Sequence, residues 1–191
     1  METEEDRLVV KRVLAGDRQA FAVLVERHQG RVRQVCLGML GNPAAADDAA
    51  QEAFLKAYRS LAAFRGDAAF STWLTRLATN HCLDVLRAEA RRPTSSWDAL
   101  LEADGERVER LLKGDPDPAA AAEAADLAGR LLAVLPEQQR AALLLCETEG
   151  LSYEEIAEAL ACSVDSVKAR LRRARRTLEE KLRHFMDQKI V

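Results

Sequence analysis

Hydrophobic residues recur at spacings of three and four along most of the chain, which is the pattern of amphipathic α-helices. In the first half of the chain, this pattern predicts helices at residues 8–15, 18–40, 44–64 and 71–92. Gly41-Asn42-Pro43 is a predicted break, because proline fits the first turn of a helix but not its interior. Arg65-Gly66-Asp67 is predicted to form a short loop before the fourth helix.

Between residues 93 and 126 the apolar residues no longer follow the spacing of a helix. Pro93 ends the first helical block, and Asp115-Pro116-Asp117-Pro118 follows in a stretch that is acidic and contains scattered glycines. Such a composition is typical of a linker rather than of a packed element. A short helix around Val108 is an open alternative within it.

Helical spacing returns after Asp126. Leucines form a stripe up to Pro136, which interrupts it, and a helix is predicted from Glu137 to Thr148. The predicted fold is therefore all-α, with two small helical domains at residues 1–92 and 127–191, joined by a flexible acidic linker at residues 93–126.

A helix-turn-helix pattern follows Gly150. Ser152 and Glu155 have the spacing of a capping box, in which each side chain satisfies the other residue's backbone N–H. Ala161-Cys162 is a predicted tight turn, and Ser163 can cap the next helix. The apolar positions of that second helix step by three and four residues: Val164, Val167, Leu171, Ala174 and Leu178. Two short helices joined in this way are typical of DNA-binding proteins.

The charge distribution supports a nucleic-acid partner, although the net charge of the chain is −3. Six cations lie between Lys168 and Arg176, on the second helix of this motif, with only Asp165 as a nearby acid in the sequence. The local field, rather than the net charge, attracts phosphates. Arginine and lysine on the outer face of such a helix can bind guanine edges or neutralise phosphates. The alternative is an arginine-rich helix that is merely solvated.

The sequence gives little support to a membrane protein, a secreted protein, an enzyme or a metal-binding protein. No apolar run approaches the roughly 18 residues of a membrane span, and the acidic N-terminus does not resemble a signal peptide, so a cytoplasmic location is expected. Cys36, Cys82, Cys146 and Cys162 are dispersed, which indicates reduced thiols. The histidines show no catalytic spacing, and His81-Cys82 is not joined by a second pair of metal ligands. Enzymatic activity, a cofactor and a metal are therefore not expected.

Two blocks of the sequence resemble the extracytoplasmic-function (ECF) subfamily of sigma-70-type RNA polymerase sigma factors. The first, similar to sigma region 2, contains the D-x-x-Q-E-x-F motif at residues 48–54, Phe64-Arg65-Gly66-Asp67 and Phe70-Ser71-Thr72-Trp73-Leu74. The second, similar to region 4, contains residues 151–157 and 167–175. The resemblance implies an alternative sigma factor that binds core RNA polymerase and directs initiation at specific promoters.

The resemblance also implies a polymerase-binding face on the third helix. Its residues are Asp47, Asp48, Gln51, Glu52 and Leu55. Carboxylates and an amide on one helical face suit a basic, arginine-bearing partner helix. Without the family, two acids near a helix N-terminus could equally be complements of the helix dipole.

For the −10 promoter element, the resemblance implies contacts from Lys56, Arg59, Phe64, Arg65, Arg76, Asn80 and Asp84. Asn80 matches the position that lines a pocket for an unstacked base, and Asp84, one turn on, could accept from a cytosine amino group. The four cations are candidates for phosphate contacts, and each could equally be a solvated charge. Phe70 and Trp73 are expected to pack the loop against the helix.

For the −35 element, the resemblance implies contacts from Ser166, Lys168, Ala169, Arg170, Arg172, Arg173 and Arg176. Ser166 and Arg170 are expected to touch the DNA backbone, while four others occupy base-reading positions. The family further implies that the linker threads the polymerase's RNA exit path. It also implies an anti-sigma partner, often membrane-bound, that masks the polymerase-binding surfaces.

Two other functions stay open on the sequence. A stand-alone helix-turn-helix transcriptional activator would use residues 127–191 to hold duplex DNA without polymerase. A helical adaptor with no nucleic-acid role is the third possibility, which the clustered arginines disfavour.

Overall fold

The computed structural model describes residues 4–89 and 127–189, and the regular elements within these ranges are all helical. The first range, for which we use the name N-terminal domain, contains α1 (Glu4–Leu14), α2 (Phe21–Leu40), α3 (Pro43–Ser60) and α4 (Phe70–Glu89). The second range, for which we use the name C-terminal domain, contains α5 (residues 127–132), α6 (Glu137–Glu147), α7 (Tyr153–Ala159) and α8 (Val164–Lys189). The all-α prediction is confirmed. The predicted linker, with its open helix around Val108, lies outside the described residues.

Three successive residues, at positions 41–43, end α2 and begin α3. Gly41 ends α2 in the left-handed conformation with a φ of 65°, which glycine adopts without a steric penalty. The Asn42 side chain accepts a hydrogen bond from the Ala45 N–H at 3.0 Å, and Pro43 occupies the first helical position. The predicted break at these three residues is confirmed.

Other predicted helix ends differ from the structure. α1 begins at Glu4 rather than Leu8, because its first turn is acidic and complements the positive end of the helix dipole. The α-helix predicted at residues 44–64 ends at Ser60 and continues only as a 3₁₀ turn, Leu61–Ala63. A second 3₁₀ turn, Arg18–Ala20, precedes α2, and the Asp17 side chain caps it.

The N-terminal core lies between α2, α3 and α4. Leu24, Met39, Phe70 and Leu74 are fully buried there. The buried face of α3 consists mainly of alanines, which let neighbouring helices approach closely: Ala46, Ala49, Ala50, Ala53 and Ala57. This packing fixes α3 with its opposite face towards solvent.

The C-terminal domain has a smaller core of its own. Leu145, Ile156, Val167 and Leu171 are buried between α6, α7 and α8. Ala161, in the turn between α7 and α8, has a φ of 47°, a strained conformation for a residue with a side chain. The turn thus sets the angle between the two helices at some conformational cost.

The two domains pack directly against each other. Ala141 and Leu144 of α6 join the N-terminal core. A Cβ atom on Gly38 would lie 2.8 Å from Leu144 Cδ2, and one on Gly129 would lie 2.7 Å from the Leu37 carbonyl oxygen. The lack of side chains on these two glycines therefore permits close contact between α2 and the C-terminal domain.

Candidate nucleic-acid interface

The start of α7 is held by the predicted capping box. Ser152 Oγ accepts from the Glu155 N–H at 3.2 Å, and Glu155 Oε2 accepts from the Ser152 N–H at 2.9 Å. At the start of α8, Ser163 Oγ accepts from the Ser166 N–H at 3.2 Å. Both helices of the motif therefore begin where the sequence predicts, with backbone donors satisfied by serine side chains.

The second helix of the motif presents its cations to solvent. Val167, Leu171 and Ala174 are buried against the domain core. On the outer face, four of the residues assigned to the −35 element are exposed: Lys168, Arg172, Arg173 and Arg176. The other three are half-buried: Ser166, Ala169 and Arg170. Arg170 lies 3.1 Å from the Cys162 sulfur, which holds its guanidinium near the turn.

One cation of the cluster is engaged within the domain. Arg175 Nη2 donates to Glu147 Oε1 of α6 at 2.6 Å, and this hydrogen bond raises the pKa of Arg175. Lys168 and Arg176 have only long, exposed ion pairs, at 3.5 Å each. In the described part of the chain, Arg172 and Arg173 have no ion-pair partner. These two arginines are thus the cations most available to a polyanion.

An open groove of about 330 Å³ runs along this cationic face. It is lined by Tyr153, Lys168, Leu171, Arg172, Arg175, Arg176 and Glu179. A concave surface lined by cations and an aromatic ring can follow a phosphate backbone.

A second candidate surface, on α3, faces solvent. Asp47, Asp48, Gln51, Glu52 and Leu55 are all exposed and share one side of the helix. The two aspartates are the fifth and sixth residues of the helix, which starts at Pro43, and they lie beyond the first turn in which the helix dipole acts. A dipole complement therefore does not explain them. Asp47 pairs with Arg33 at 2.5 Å, and Leu55 is 45% exposed.

The residues assigned to the −10 element spread over α3, α4 and the loop between them. Asn80 and Asp84 lie one turn apart on the exposed side of α4. Lys56 Nζ lies 2.9 Å from His81 Nδ1, a residue that the sequence analysis did not assign to this surface. Burial, and then the charge of Lys56, lower the pKa of His81. The imidazole is therefore neutral at pH 7, and its Nδ1 can accept from Lys56.

An aromatic cluster fixes the loop before α4. The Phe64 ring lies 5.7 Å from Phe70 and 5.2 Å from Trp73, and Phe70 is fully buried. Phe70 and Trp73 pack as expected. Phe64 takes part in the same packing, although the sequence analysis assigned it to DNA. Arg65, beside it, is exposed, as is Arg59 on α3.

Arg76 differs from the other residues assigned to the −10 element. Its side chain is only 14% exposed and forms an ion pair with Glu158 of α7 at 3.0 Å. The guanidinium thus faces the C-terminal domain rather than solvent. Sequence reasoning could not detect this contact, because the two residues are far apart in the chain.

Comparisons with known proteins agree with this geometry. Residues 24–92 match the family Sigma-70 region 2, and residues 125–178 match Sigma-70, region 4. The chain is also 40% identical over 180 residues to the ECF RNA polymerase sigma-E factor of Escherichia coli (strain K12), covering 93% of this chain and 94% of that one. The chain belongs to the ECF group of sigma-70 factors.

Further comparisons extend over nearly the whole of this sigma factor. It is 39% identical over 186 residues to the RNA polymerase sigma-H factor of Pseudomonas aeruginosa, covering 96% of each chain. It is similar to CnrH, solved in complex with the cytosolic domain of CnrY, with a TM-score of 0.65, 27% identity, and coverage of 94% of this chain and 97% of that one.

A further solved structure shares the fold of this sigma factor. It is the sigma factor RpoE of Bartonella quintana, solved with the anti-sigma factor NepR, at a TM-score of 0.62 and 21% identity. The likeness covers 85% of this chain and 96% of that one. Among the helices that the structure describes, none is both long and apolar enough to cross a bilayer.

Proposed function

We propose that this sigma factor binds core RNA polymerase through α3, binds the −10 element through α3 and α4, and binds the −35 element through α8. The observation that carries the proposal is the pair of exposed and chemically different faces: acidic and amide groups with Leu55 on α3, and the exposed Arg172 and Arg173 on α8. The proposed domains are residues 1–92 and 127–191, with residues 93–126 as the connection between them.

The α3 face suits a protein partner that carries arginines. Asp48, Gln51 and Glu52 offer acceptors for guanidinium groups, while Leu55 offers an apolar contact at the same surface. Asp47 already pairs with Arg33, so a partner arginine would compete with that exposed pair. An exposed ion pair of this kind is weak and is easily exchanged.

The α4 surface suits a single strand. Asn80 and Asp84 supply hydrogen-bonding edges for an extruded base. Lys56, Arg59 and Arg65 supply charge for its phosphates, to which Arg76 would add a fourth charge once a phosphate replaces Glu158 as its partner. Phe64 is half-buried in the aromatic cluster, so its exposed edge is the part that remains for stacking.

On α8, Arg172 and Arg173 are proposed to read base edges together with Lys168 and Ala169. Ser166, Arg170 and Arg176 are proposed to contact the DNA backbone. Arg175 is left out of the DNA contacts, because Glu147 holds it within the domain.

The factor is further proposed to act in the cytoplasm under the control of an anti-sigma factor, and to catalyse no bond chemistry of its own. Support for an anti-sigma partner comes from similarity to CnrH, which was solved in complex with the cytosolic domain of CnrY. The exposed α3 face is a surface that such a partner could cover.

Reconstituted transcription tests the proposal. The purified factor and core RNA polymerase are incubated with a pool of bacterial promoter fragments, and start sites are mapped. New start sites are expected only when the factor is present. Gln51→Ala should weaken binding to the core enzyme, with Gln29→Ala, an exposed glutamine on α2, as its control.

In the same assay, Arg173→Ala should lower initiation about 5- to 150-fold at promoters that depend on the −35 element, from the usual cost of one lost bidentate base contact. Arg183→Ala, on the exposed side of the same helix, is the control. If nothing initiates and the protein alone retards specific duplexes, the activator function replaces the sigma function.

A further inference from the structure

A lysine and a histidine join α3 to α4 at the proposed −10 surface. Lys56 Nζ lies 2.9 Å from His81 Nδ1, and both side chains are half-buried. An ammonium group has three N–H donors and no acceptor, so Lys56 donates and His81 Nδ1 accepts. The proton of the neutral imidazole is therefore on Nε2, the ring nitrogen that is not bonded to Lys56.

Charged groups of both helices surround this histidine. Burial is the main cause that lowers the pKa of His81, and the charge of Lys56 lowers it further. The carboxylates of Glu52 on α3 and Asp84 on α4 act in the opposite direction, but the pKa remains below its usual value. His81 is therefore neutral at pH 7, and its Nδ1 keeps the lone pair that accepts from Lys56.

A second acceptor for Lys56 lies on its own helix. Glu52 precedes Lys56 by four residues, which is the spacing and order in which a glutamate and a lysine pair most readily on a helix. Even so, within residues 4–89 and 127–189 no ion pair joins Glu52 to Lys56. The ammonium group is directed to His81 instead.

This choice of acceptor keeps two neighbouring surfaces of α3 separate. Glu52 is exposed and belongs to the face proposed to bind polymerase. Lys56 belongs to the proposed −10 surface, together with Asn80 and Asp84 of α4. A pair between Glu52 and Lys56 would neutralise one charge intended for a polymerase arginine and one intended for a DNA phosphate. With His81 as the acceptor, both charges are kept.

The same contact restricts the lysine side chain before DNA binds. Ordering a free lysine side chain reduces a binding constant by roughly 10- to 30-fold, because its rotamer freedom is lost. The hydrogen bond to Nδ1 already holds the ammonium group in place, so less of that freedom is left to lose on binding. Two of the three N–H groups of Lys56 remain for the oxygens of a phosphate.

We propose that His81 is a positioning residue of the −10 site, which directs the Lys56 ammonium group away from Glu52 and towards the DNA strand. His81 acts through Lys56 and needs no contact of its own with DNA. The roles of Lys56 and Glu52 rest on the proposed function, whereas the contact between Lys56 and His81 does not.

Strand binding by the holoenzyme tests this role. The factor is assembled with core RNA polymerase and titrated onto a fluorescein-labelled non-template strand from a promoter at which it initiates, and anisotropy gives the dissociation constant. His81→Ala should weaken binding about 10-fold, because Lys56 loses its fixed position. The slope of log affinity against log salt should fall by about 0.7, the contribution of one phosphate contact on a single strand.

Two further substitutions distinguish the ring nitrogens of His81. The amide of asparagine lies near the position of histidine Nδ1, whereas the amide of glutamine lies near the position of Nε2. His81→Asn should therefore keep an acceptor for Lys56 and recover most of the wild-type affinity, while His81→Gln should bind as weakly as His81→Ala. The reverse order of affinities would assign the effect to Nε2 and overturn the proposal.

A double-mutant cycle shows whether His81 acts through Lys56. Lys56→Met should weaken strand binding, and adding His81→Ala should cause no further loss. Lys11→Met, which removes an exposed lysine of α1, is the control for the loss of a charge and should leave strand binding unchanged. An equal loss from His81→Ala in both backgrounds, as expected of a histidine that only supports the fold, would overturn the proposal.

Nitrogen-15 NMR of the free factor separates the contact from the proposed function. The His81 ring should carry its proton on Nε2, and a proton on Nδ1 would overturn the contact, whatever the DNA result. If the proton is on Nε2 but Lys56→Met binds the strand as tightly as the wild type, the DNA role proposed for Lys56 is wrong. The positioning role of His81 then fails with it, while the contact itself stands.

Discussion

Replacing Arg140 with methionine keeps most of the aliphatic length of the side chain and removes its five N–H donors. The arginine is buried, and burial lowers its pKa to about 10, so it remains charged at neutral pH. Three carbonyl oxygens accept from it, those of Met39, Ala133 and Leu135. Without the guanidinium, these acceptors lose that donor in a region that is largely buried.

The expected change in the free energy of unfolding follows from the loss of the donor to these three carbonyl oxygens. Each buried polar group that loses its hydrogen bond costs about 1–3 kcal/mol, and the methionine removes the cost of desolvating a cation, which offsets part of the total. We expect Arg140→Met to lower the free energy of unfolding by about 3 kcal/mol. The free energy of unfolding of Arg140→Lys should lie between those of the wild type and Arg140→Met, because an ammonium group keeps the charge but cannot reach all three oxygens.

Urea unfolding followed by circular dichroism measures this change. Arg87→Met is the control: the pair that Arg87 forms with Asp84 is exposed, so this substitution should change the stability by less than about 0.5 kcal/mol. If Arg140→Met unfolds at the wild-type midpoint with the wild-type slope, the guanidinium does not hold these segments together, and the reasoning is wrong.

Three further predictions concern the C-terminal domain and the α3–α4 surface. Ser152→Ala should cost about 1 kcal/mol in urea unfolding, because it removes the cap of α7, and an unchanged midpoint would refute that. NMR titration should give His81 a pKa below 6.5, and Lys56→Met should raise it only in part because burial is the main cause. Since His81 charges more easily when unfolded, the free energy of unfolding should fall as the pH drops below about 6.5; a wild-type pKa at or above 6.5 would contradict this account. Arg176→Ala, which removes a proposed backbone contact, should reduce the salt dependence of promoter binding by the factor with core polymerase by about one unit of slope, whereas Arg175→Ala should mainly lower stability; equal slopes for both variants would refute the distinction.

Features set by neighbouring residues could be predicted from the sequence. The capping box at Ser152 and the break at residues 41–43 depend on side chains within three or four positions of the backbone groups they satisfy. The same holds for the buried stripe of α8, whose period follows from helix geometry. The predicted end of α3 was wrong by a few residues, because the apolar residues at 61–64 fit both an α-helix and a 3₁₀ turn.

Features set by residues that are distant in the chain could not be predicted. The acids nearest to Arg175 in the sequence are Glu179 and Glu180 of the same helix, yet its partner is Glu147 of α6. Arg31 Nε donates to Glu149 Oε2 at 2.6 Å, although the two residues are 118 positions apart and no periodicity relates them. Gly129 lies in a helical stripe where nothing local requires glycine, and only the approach of Leu37 explains it. The assignment of individual residues to polymerase or to DNA stays a prediction.

The packing of α6 against the N-terminal core has a consequence for how the chain unfolds. Ala141 and Leu144 of α6 belong to the same buried cluster as residues of α2, α3 and α4. Because these helices share buried residues, a substitution that loosens one domain should also lower the stability of the other. Probes placed in the two domains should therefore report one common unfolding transition rather than two.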